Sequence, residues 1–244
     1  MTQTYAPQDY DIFIGLDVDK NSFALTIQDM HTMSKSKKMP SQPEQLYAYV
    51  KNRFGDKKVL FAYEAGPTGY HLHDYLSGQK EECLVVSPLS IPRAANQKVK
   101  NNRIDSRKIA EELKGGKLIS IRVPHGVYRE LRHLINLREN YAHKRKVAKQ
   151  RIKALLLYTN LYPYFKDVKQ NWSYAYIHKL KGMPCSQAER QRLDMLLMDL
   201  DYARKQTLSI LRQLREFVKT HEEMQRYLRY VTSVPGIGFI TALS

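Results

Sequence analysis

The periodicity of apolar residues changes along the first ninety positions, and this change limits the folds that the chain can adopt. In residues 11–18, apolar side chains at even positions alternate with Phe13, Gly15 and Asp17, which predicts a buried strand. Hairpin strands followed by strands that alternate with helices predict an α/β fold with a mixed sheet. The predicted elements are strands at 11–18, 21–28, 35–40, 59–63 and 83–86, and helices at 42–54 and about 70–76. The first nine residues are polar, and we expect them to be disordered.

The second half of the chain has a helical periodicity. From Val127 to Leu155, apolar residues recur every three or four positions, which predicts a helix of some 30 residues that ends before Tyr162. Residues 187–230 repeat the pattern. Two long helices joined by a loop predict an antiparallel coiled coil, and core helices of a compact second domain are the alternative. The predicted seam of the second helix is Leu193, Leu197, Leu200, Thr207, Leu211, Leu214 and Val218.

Three acidic residues stand in separate predicted elements: Asp17, Glu64 and Asp105. A carboxylate beside an apolar sheet is costly unless it has a positively charged partner, and a divalent cation is one such partner. We therefore predict that these carboxylates gather around Mg²⁺ or Mn²⁺ for phosphodiester chemistry. Asn102 lies on the same predicted helix face as Asp105. The alternative is that each acid is a turn residue, a helix cap or a surface charge.

The net charge of +16 is unevenly distributed. Residues 1–91 carry 9 Lys and Arg against 11 Asp and Glu, residues 92–160 carry 18 against 5, and residues 161–244 carry 13 against 8. Such asymmetry implies a nucleic acid or an anionic membrane as partner. No apolar run approaches the roughly 20 residues of a spanning helix, so a nucleic acid is favoured. Cys83 and Cys185 form no metal-ligand pair and no disulfide framework, which favours a cytoplasmic location.

Two basic segments are predicted to bind nucleic acid, one around Asp105 and one on the first long helix. Like charges at helical spacing repel, and a bound phosphate backbone would offset that cost. The alternative for the first segment is charge balancing of the acidic cluster, and for the second it is a solvated charged face. The predicted contact residues are Lys98, Lys100, Arg103, Arg107, Lys108, Lys144, Arg145, Lys149, Arg151 and Lys153. Tyr158, Tyr162, Tyr164, Tyr174 and Tyr176 surround Trp172 in sequence, either as a platform for unpaired bases or as a small aromatic core.

Several segments resemble, in order, the blocks of the insertion-sequence one-ten family, which comprises transposases, pilin-gene invertases and recombinases guided by a bridge RNA. They are IGLDVDK, YEAGPTGYHLHDYL, VVSPLSIPRAANQKVKNNRIDSRKIAEEL, NWSYAYIHKL and YVTSVPGIGFITA. The resemblance implies a ribonuclease-H-like (RuvC-like) fold with a metal site of four acids, abbreviated DEDD. Asp17, Glu64 and Asp105 match the first, second and fourth acids, and Asn102 stands where the third is expected.

The resemblance also implies an organisation and a function. We expect a DEDD catalytic domain over residues 1–124, an antiparallel coiled coil for dimer or tetramer formation and nucleic-acid binding over 125–231, and the start of a C-terminal transposase domain over 232–244. The family's serine-bearing segment would follow Ser244, so we expect a truncated chain. The expected function is a DNA transposase or site-specific recombinase with DNA and a guide RNA as partners.

Other functions stay open. A structure-specific nuclease would use the same carboxylates with a metal-activated water, and an inert nucleic-acid-binding fragment would use only the basic segments. An actin-like ATPase also opens with an apolar strand that ends in an acid. It is the least favoured alternative because later glycine-rich phosphate turns are missing.

Overall fold

The structure, a computed structural model, describes residues 5–31, 35–88, 102–165 and 172–243, without the side chains of 102–104 and 164–165. The chain divides into two compact units, Met1–Val123 and Pro124–Ser244. We call them the sheet unit and the helical unit.

The sheet unit contains a five-stranded sheet in the order β3-β2-β1-β4-β5. Its elements are β1 (Ile12–Val18), β2 (Ser22–Asp29), β3 (Lys35–Pro40), α1 (Pro43–Phe54), β4 (Val59–Glu64), α2 (His71–Gly78), β5 (Glu82–Val86) and α3 (Asn102–Lys114). Strands β1, β2 and β3 pair antiparallel, whereas β4 pairs parallel with both β1 and β5. This mixed sheet with flanking helices confirms the predicted ribonuclease-H-like α/β fold.

Both faces of the sheet are covered by helices. The even-numbered side chains of β1, such as Ile14 and Leu16, belong to one core cluster with residues of α1 and α2. On the other face, Phe13 packs in a second cluster with Ile109 and Leu113 of α3. The continuous apolar runs of β1 and β4 are therefore explained by burial on two sides.

Helix α3 approaches β1 most closely at Gly15. A Cβ atom at this position would lie 2.3 Å from the backbone nitrogen of Ala110 and 2.3 Å from the carbonyl oxygen of Ser106. Beside this contact, the hydroxyl groups of Thr26 and Ser106 are 3.0 Å apart and form a buried hydrogen bond. Only glycine lets the helix backbone rest directly on the strand.

The chain on either side of these elements is tied to the sheet unit. Pro7–Asp9 form a 3₁₀ turn, and the hydroxyl of Tyr5 donates to the carbonyl of Leu113 at 2.8 Å. The expected disorder of the first nine residues is therefore wrong for residues 5–9. After α3, Ser120 bridges to Val86 at the outer edge of β5, with a neighbouring N–H···O bond of 2.7 Å from Ile121 to Val85.

The helical unit is built on a long antiparallel helix pair. Its elements are α4 (Val127–Tyr158), a 3₁₀ turn (Tyr162–Phe165), α5 (Tyr174–Lys181), α6 (Gln187–Lys219), α7 (Glu222–Thr232) and α8 (Phe239–Leu243). Ile152, late in α4, shares a cluster with Leu197, early in α6, whereas Leu131 shares another with Leu214. The pairing of early with late residues establishes the antiparallel arrangement.

Two details of the predicted second helix are wrong. The helix ends at Lys219, because the hydroxyl of Thr220 donates to the Phe217 carbonyl and the side-chain amide of Gln225 donates to the Lys219 carbonyl. The seam also uses Ile210 rather than Leu211, since a straight helix drifts from a strict seven-residue repeat. None of the helices in the described part of the chain is long and apolar enough to span a membrane.

Candidate active site and nucleic-acid interface

The register of two parallel strands brings Asp17 and Glu64 side by side. Leu16 pairs with Tyr63, so each of the two acids is the next residue along its strand. Neighbouring strands lie about 4.8 Å apart. Because Gly15 pairs with Ala62 and side chains alternate, both acids point to the face that α3 covers.

Helix α3 places Asp105 at the same end of the sheet. Ser106 lies over Gly15, whereas Leu113 packs beside Phe13 and Tyr5, near the start of β1. The helix therefore runs opposite to β1, and its first turn lies toward the carboxyl ends of β1 and β4. The three predicted acids share one face and one end of the sheet, which we call the acidic edge.

The acidic edge fits a divalent cation in its chemistry but does not form a closed site. Asp17, Glu64 and Asp105 are all half-buried, and carboxylate oxygens are the ligands that Mg²⁺ prefers. Among the described residues, however, no group of three or more His, Cys, Asp or Glu side chains is arranged to hold a metal ion. The side chain of Asn102 lies outside the described part. The catalytic and metal-binding roles of these four residues stay predictions.

A small cavity lies beyond the end of β1, on the face of the sheet that α2 covers. Asp19 is in the turn after β1, where its carboxylate accepts a 2.7 Å hydrogen bond from the Lys20 amide. The turn and the start of α2 enclose about 220 Å³. The hydroxyl of Thr68 on its wall is buried and has no hydrogen-bond partner among the described residues. A small polar group could occupy this space and satisfy that hydroxyl.

The basic segment around Asp105 is only partly described. Lys98 and Lys100 lie outside the described residues, as does the side chain of Arg103. Arg107 is exposed, and its Nε donates to a carboxylate oxygen of Glu111 at 2.8 Å, an ion pair along α3. Lys108 is half-buried. The nucleic-acid role of this segment stays a prediction.

The basic segment of α4 lines a cavity in the helical unit. Arg145, Lys149 and Lys153 are four residues apart and project from one side of the helix. Of the other predicted contacts, Lys144 lies 4.7 Å above the ring of Tyr141, and Arg151 does not line the cavity. The cavity, which we call the basic cleft, has a volume of about 310 Å³ and is lined by Ala142, Arg145, Lys146, Lys149, Gln150, Lys153 and Trp172.

Trp172 belongs to a small aromatic core, which favours that alternative over a base-stacking platform. Its ring is 8% exposed and packs edge-on against Tyr176, with 5.4 Å between the ring centroids. The ammonium of Lys149 lies 5.3 Å from the indole centroid. Tyr158 and Tyr174, by contrast, are largely exposed.

Sequence reasoning missed Arg204 of α6. Its guanidinium donates to the carbonyl of Trp172 at 3.3 Å and lies 5.1 Å from the ring centroid of Tyr174. Asp199 and Asp201 precede it closely, so the local sequence has no excess of basic residues that would draw attention to Arg204. Only the antiparallel register of α6 against α4 could have indicated its position.

The comparison with protein families decides what kind of chain carries these two sites. The model of the DEDD transposases of IS110 type, described as a transposase, matches residues 14–161, more than half of the chain. The chain belongs to the IS110 family of DEDD transposases. The matched range contains Asp17, Glu64 and Asp105 as well as the basic segment of α4.

Individual relatives agree with this assignment. The chain is 34% identical over 124 residues to y4qE of Sinorhizobium fredii (strain NBRC 101917 / NGR234), a protein named as a transposase. That alignment covers 50% of this chain and 31% of y4qE. The transposase for insertion sequence element IS1533 of Leptospira borgpetersenii is 28% identical over 114 residues, which is 44% of this chain and 32% of the relative. The matched part thus spans about a third of each relative.

Proposed function

We propose that this IS110-family chain carries the DNA-strand-cleaving part of a transposase, with a divalent cation, Mg²⁺ or Mn²⁺, held at the acidic edge. The observation that carries the proposal is the parallel register that makes Asp17 and Glu64 neighbours on the face covered by α3. The family to which the chain belongs supports the reaction class. When bound, the cation would polarise the scissile phosphate and stabilise the leaving oxygen.

The residues of the chain have distinct parts in this proposal. Asp17 and Glu64 provide charged oxygens from rigid, buried strands, and Asp105 provides a third from the first turn of α3. Asn102 could add an amide oxygen without charge, so we expect weaker cation binding than from four carboxylates. Arg107 and Lys108, on the same helix as Asp105, would hold the DNA backbone near the acidic edge.

The first experiment measures cation binding, which is independent of any reaction. Isothermal titration with Mn²⁺ should detect a site in the wild-type chain and lose it in Asp17→Asn and Glu64→Gln. The matched control is Asp56→Asn, which removes one exposed carboxylate from a turn of the same unit. Equal Mn²⁺ binding by all four proteins would disprove a site at the acidic edge.

The second experiment measures cleavage of branched DNA in Mg²⁺. The proposal expects strand cleavage by the wild-type and Asp56→Asn proteins but not by Asp17→Asn. Complete hydrolysis of the junction, with water as the nucleophile, would favour the alternative of a structure-specific nuclease. Cation binding without cleavage by this chain would mean that cleavage depends on further parts of the transposase.

We further propose that the helix pair joins two or four copies and that the partners are DNA and a guide RNA. Exposed apolar side chains on α6 support self-association, because Met195, Met198 and Tyr202 are spaced by three and four residues and are each more than half exposed. Light scattering after gel filtration should give a dimer or larger for the wild type. Met195→Glu with Met198→Glu should reduce it to a monomer.

A further inference from the structure

We infer that the basic cleft is a binding site for the phosphodiester backbone of single-stranded nucleic acid. The inference rests on the proposed nucleic-acid function and adds a defined site in the helical unit, lined by residues of α4 and by Trp172, which precedes α5 by two residues. The acidic edge has no part in it.

Every charged residue that lines the basic cleft is a cation. Arg145, Lys146, Lys149 and Lys153 contribute four cationic groups, and the remaining lining residues are uncharged. Arg204 adds a fifth cation behind Trp172. A solvated charged face would spread such groups apart or alternate them with acids, whereas here they surround one cavity.

The backbone at Trp172 is held in a costly conformation. Its φ angle is +57°, in the left-handed region that a large side chain rarely adopts. The bond from Arg204 to the Trp172 carbonyl and the edge-on contact with Tyr176 hold it there. The result is that the indole lines the cleft beneath Lys149, and its apolar surface limits how much water can solvate the ammonium.

Among the described residues, the charges that act on Lys149 are cationic. Burial lowers the pKa of the Lys149 ammonium, and the nearby charges of Arg145, Arg204 and Lys153 lower it further. A bound anion would reverse this effect, since it stabilises the charged form of lysine. Geometry and charge therefore both favour an anionic ligand.

The dimensions favour a single strand over a duplex. A cavity of about 310 Å³ lies at the lower end of the range for small-ligand pockets, so it can hold only a short piece of one backbone. Tyr174 beside it is 78% exposed, and Arg204 lies against its ring. An exposed aromatic ring next to a basic groove is the arrangement on which unpaired bases stack.

The test uses the single tryptophan of the chain as a reporter, because Trp172 lines the basic cleft. Tryptophan emission is recorded during titration with 20-nucleotide oligo-dT, oligo-rU and a 20-base-pair duplex, all in EDTA. We expect either single strand to change the emission saturably, and the two titrations show whether DNA or RNA is preferred. The slope of log K against log salt should fall by about 2 units in the triple variant Arg145→Gln, Lys149→Gln, Lys153→Gln, since each neutralised phosphate contributes about 0.7.

The matched control removes the same charge elsewhere in the helical unit. Lys179→Gln, Lys181→Gln and Lys219→Gln are all at exposed positions that do not line the cleft. The cleft variant should bind at least about tenfold more weakly at low salt, while the control should differ from the wild type by no more than about twofold. Tyr174→Ala should weaken binding about fivefold or more. Lys149→Arg, which keeps the charge, should retain binding and shows that the site tolerates substitution.

Four outcomes would overturn the inference. The first is an equal loss of oligonucleotide binding in the cleft and control variants, and the second is cleft-dependent binding of the duplex as tight as that of the single strands. The third is displacement of the oligonucleotide by inorganic phosphate at equal concentration. The fourth is no change in tryptophan emission during the titration. Because the titration excludes metal ions, failure here leaves the proposed cleavage at the acidic edge untouched. Failure of Mn²⁺ binding or cleavage likewise leaves the basic cleft untouched.

Discussion

The sheet unit and the helical unit position their charged groups in different ways. In the sheet unit, backbone register and helix packing fix the acids, because Asp17 and Glu64 lie near the carboxyl ends of strands that are buried on both faces. In the helical unit, the cations of the basic cleft project from helix surfaces, and side chains alone define the cavity. The sheet unit carries 18 Lys and Arg against 14 Asp and Glu, and the helical unit 22 against 10.

This difference indicates how each site can change. Moving an acid by one residue in β1 would turn it to the opposite face of the sheet, so the acidic edge depends on the whole fold. A lysine of α4 can be replaced without disturbing the helix pair, whose apolar contacts lie on another side. We therefore expect substitutions to affect stability strongly at the sheet and binding strongly at the cleft.

Gly15→Ala should have the largest effect. The new methyl group would overlap the backbone of Ala110 and Ser106, so α3 would have to move away from β1. We expect a loss of about 3 kcal/mol or more in the free energy of unfolding, measured by urea denaturation. Mn²⁺ binding should be lost as well, since Asp105 moves with the helix.

Gly78→Ala is the control for this prediction. A methyl group at Gly78, the last residue of α2, would meet no atom within 4 Å. We expect no loss of stability and a gain of up to about 1 kcal/mol, because alanine restricts the unfolded chain. If Gly15→Ala were as harmless as Gly78→Ala, the close packing of α3 on the sheet would be disproved.

Ser106→Ala should have an intermediate effect. It removes a buried hydroxyl that bonds Thr26, whereas Ser36, 3.1 Å from the same Thr26 hydroxyl, is only half-buried. We expect Ser106→Ala to cost about 1 to 1.5 kcal/mol of unfolding free energy and Ser36→Ala less than about 0.5 kcal/mol. Equal costs for the two variants would show that the contact between α3 and β2 contributes nothing special.

Lys149→Met should have the smallest effect on stability. The effect should be visible in how the stability of the protein depends on pH. The lowered pKa of Lys149 means that, just below the ordinary value of 10.5, the folded protein binds fewer protons than the unfolded chain. Stability from this group therefore rises with pH across that window. Unfolding midpoints between pH 7 and 10 should depend less on pH in Lys149→Met than in the wild type. A matching change in Lys153→Met would contradict a special environment for Lys149.

Much of the sheet unit could be predicted from the sequence because its signals are local. The alternation in residues 11–18 and the turns between later segments define strands and helices whose observed ends differ by only one or two residues. The shared position of Asp17 and Glu64 follows once both are recognised as strand ends. The closeness of α3 to Gly15 could not be predicted, since glycine in a strand is equally consistent with a bulge or a bend.

In the helical unit, the apolar periodicity does not predict where α6 ends or which distant residues meet. The apolar period continues past Lys219, yet the helix ends there because Thr220 and Gln225 satisfy backbone carbonyls with their side chains. The position of Arg204 behind Trp172 depends on how two distant helices align. Such tertiary contacts leave no periodic trace in the sequence.

The two outer strands of the sheet have a further consequence for how the molecule behaves in concentrated solution. On one side, β3 carries Lys35, Lys37 and Lys38, whose charges repel an approaching strand; on the other, the segment around Ser120 already bonds to β5. Fibril growth by edge-to-edge stacking is thereby opposed at both margins. We expect concentrated solutions of this protein to show little turbidity from aggregation, unlike those of a protein whose sheet edges are unprotected.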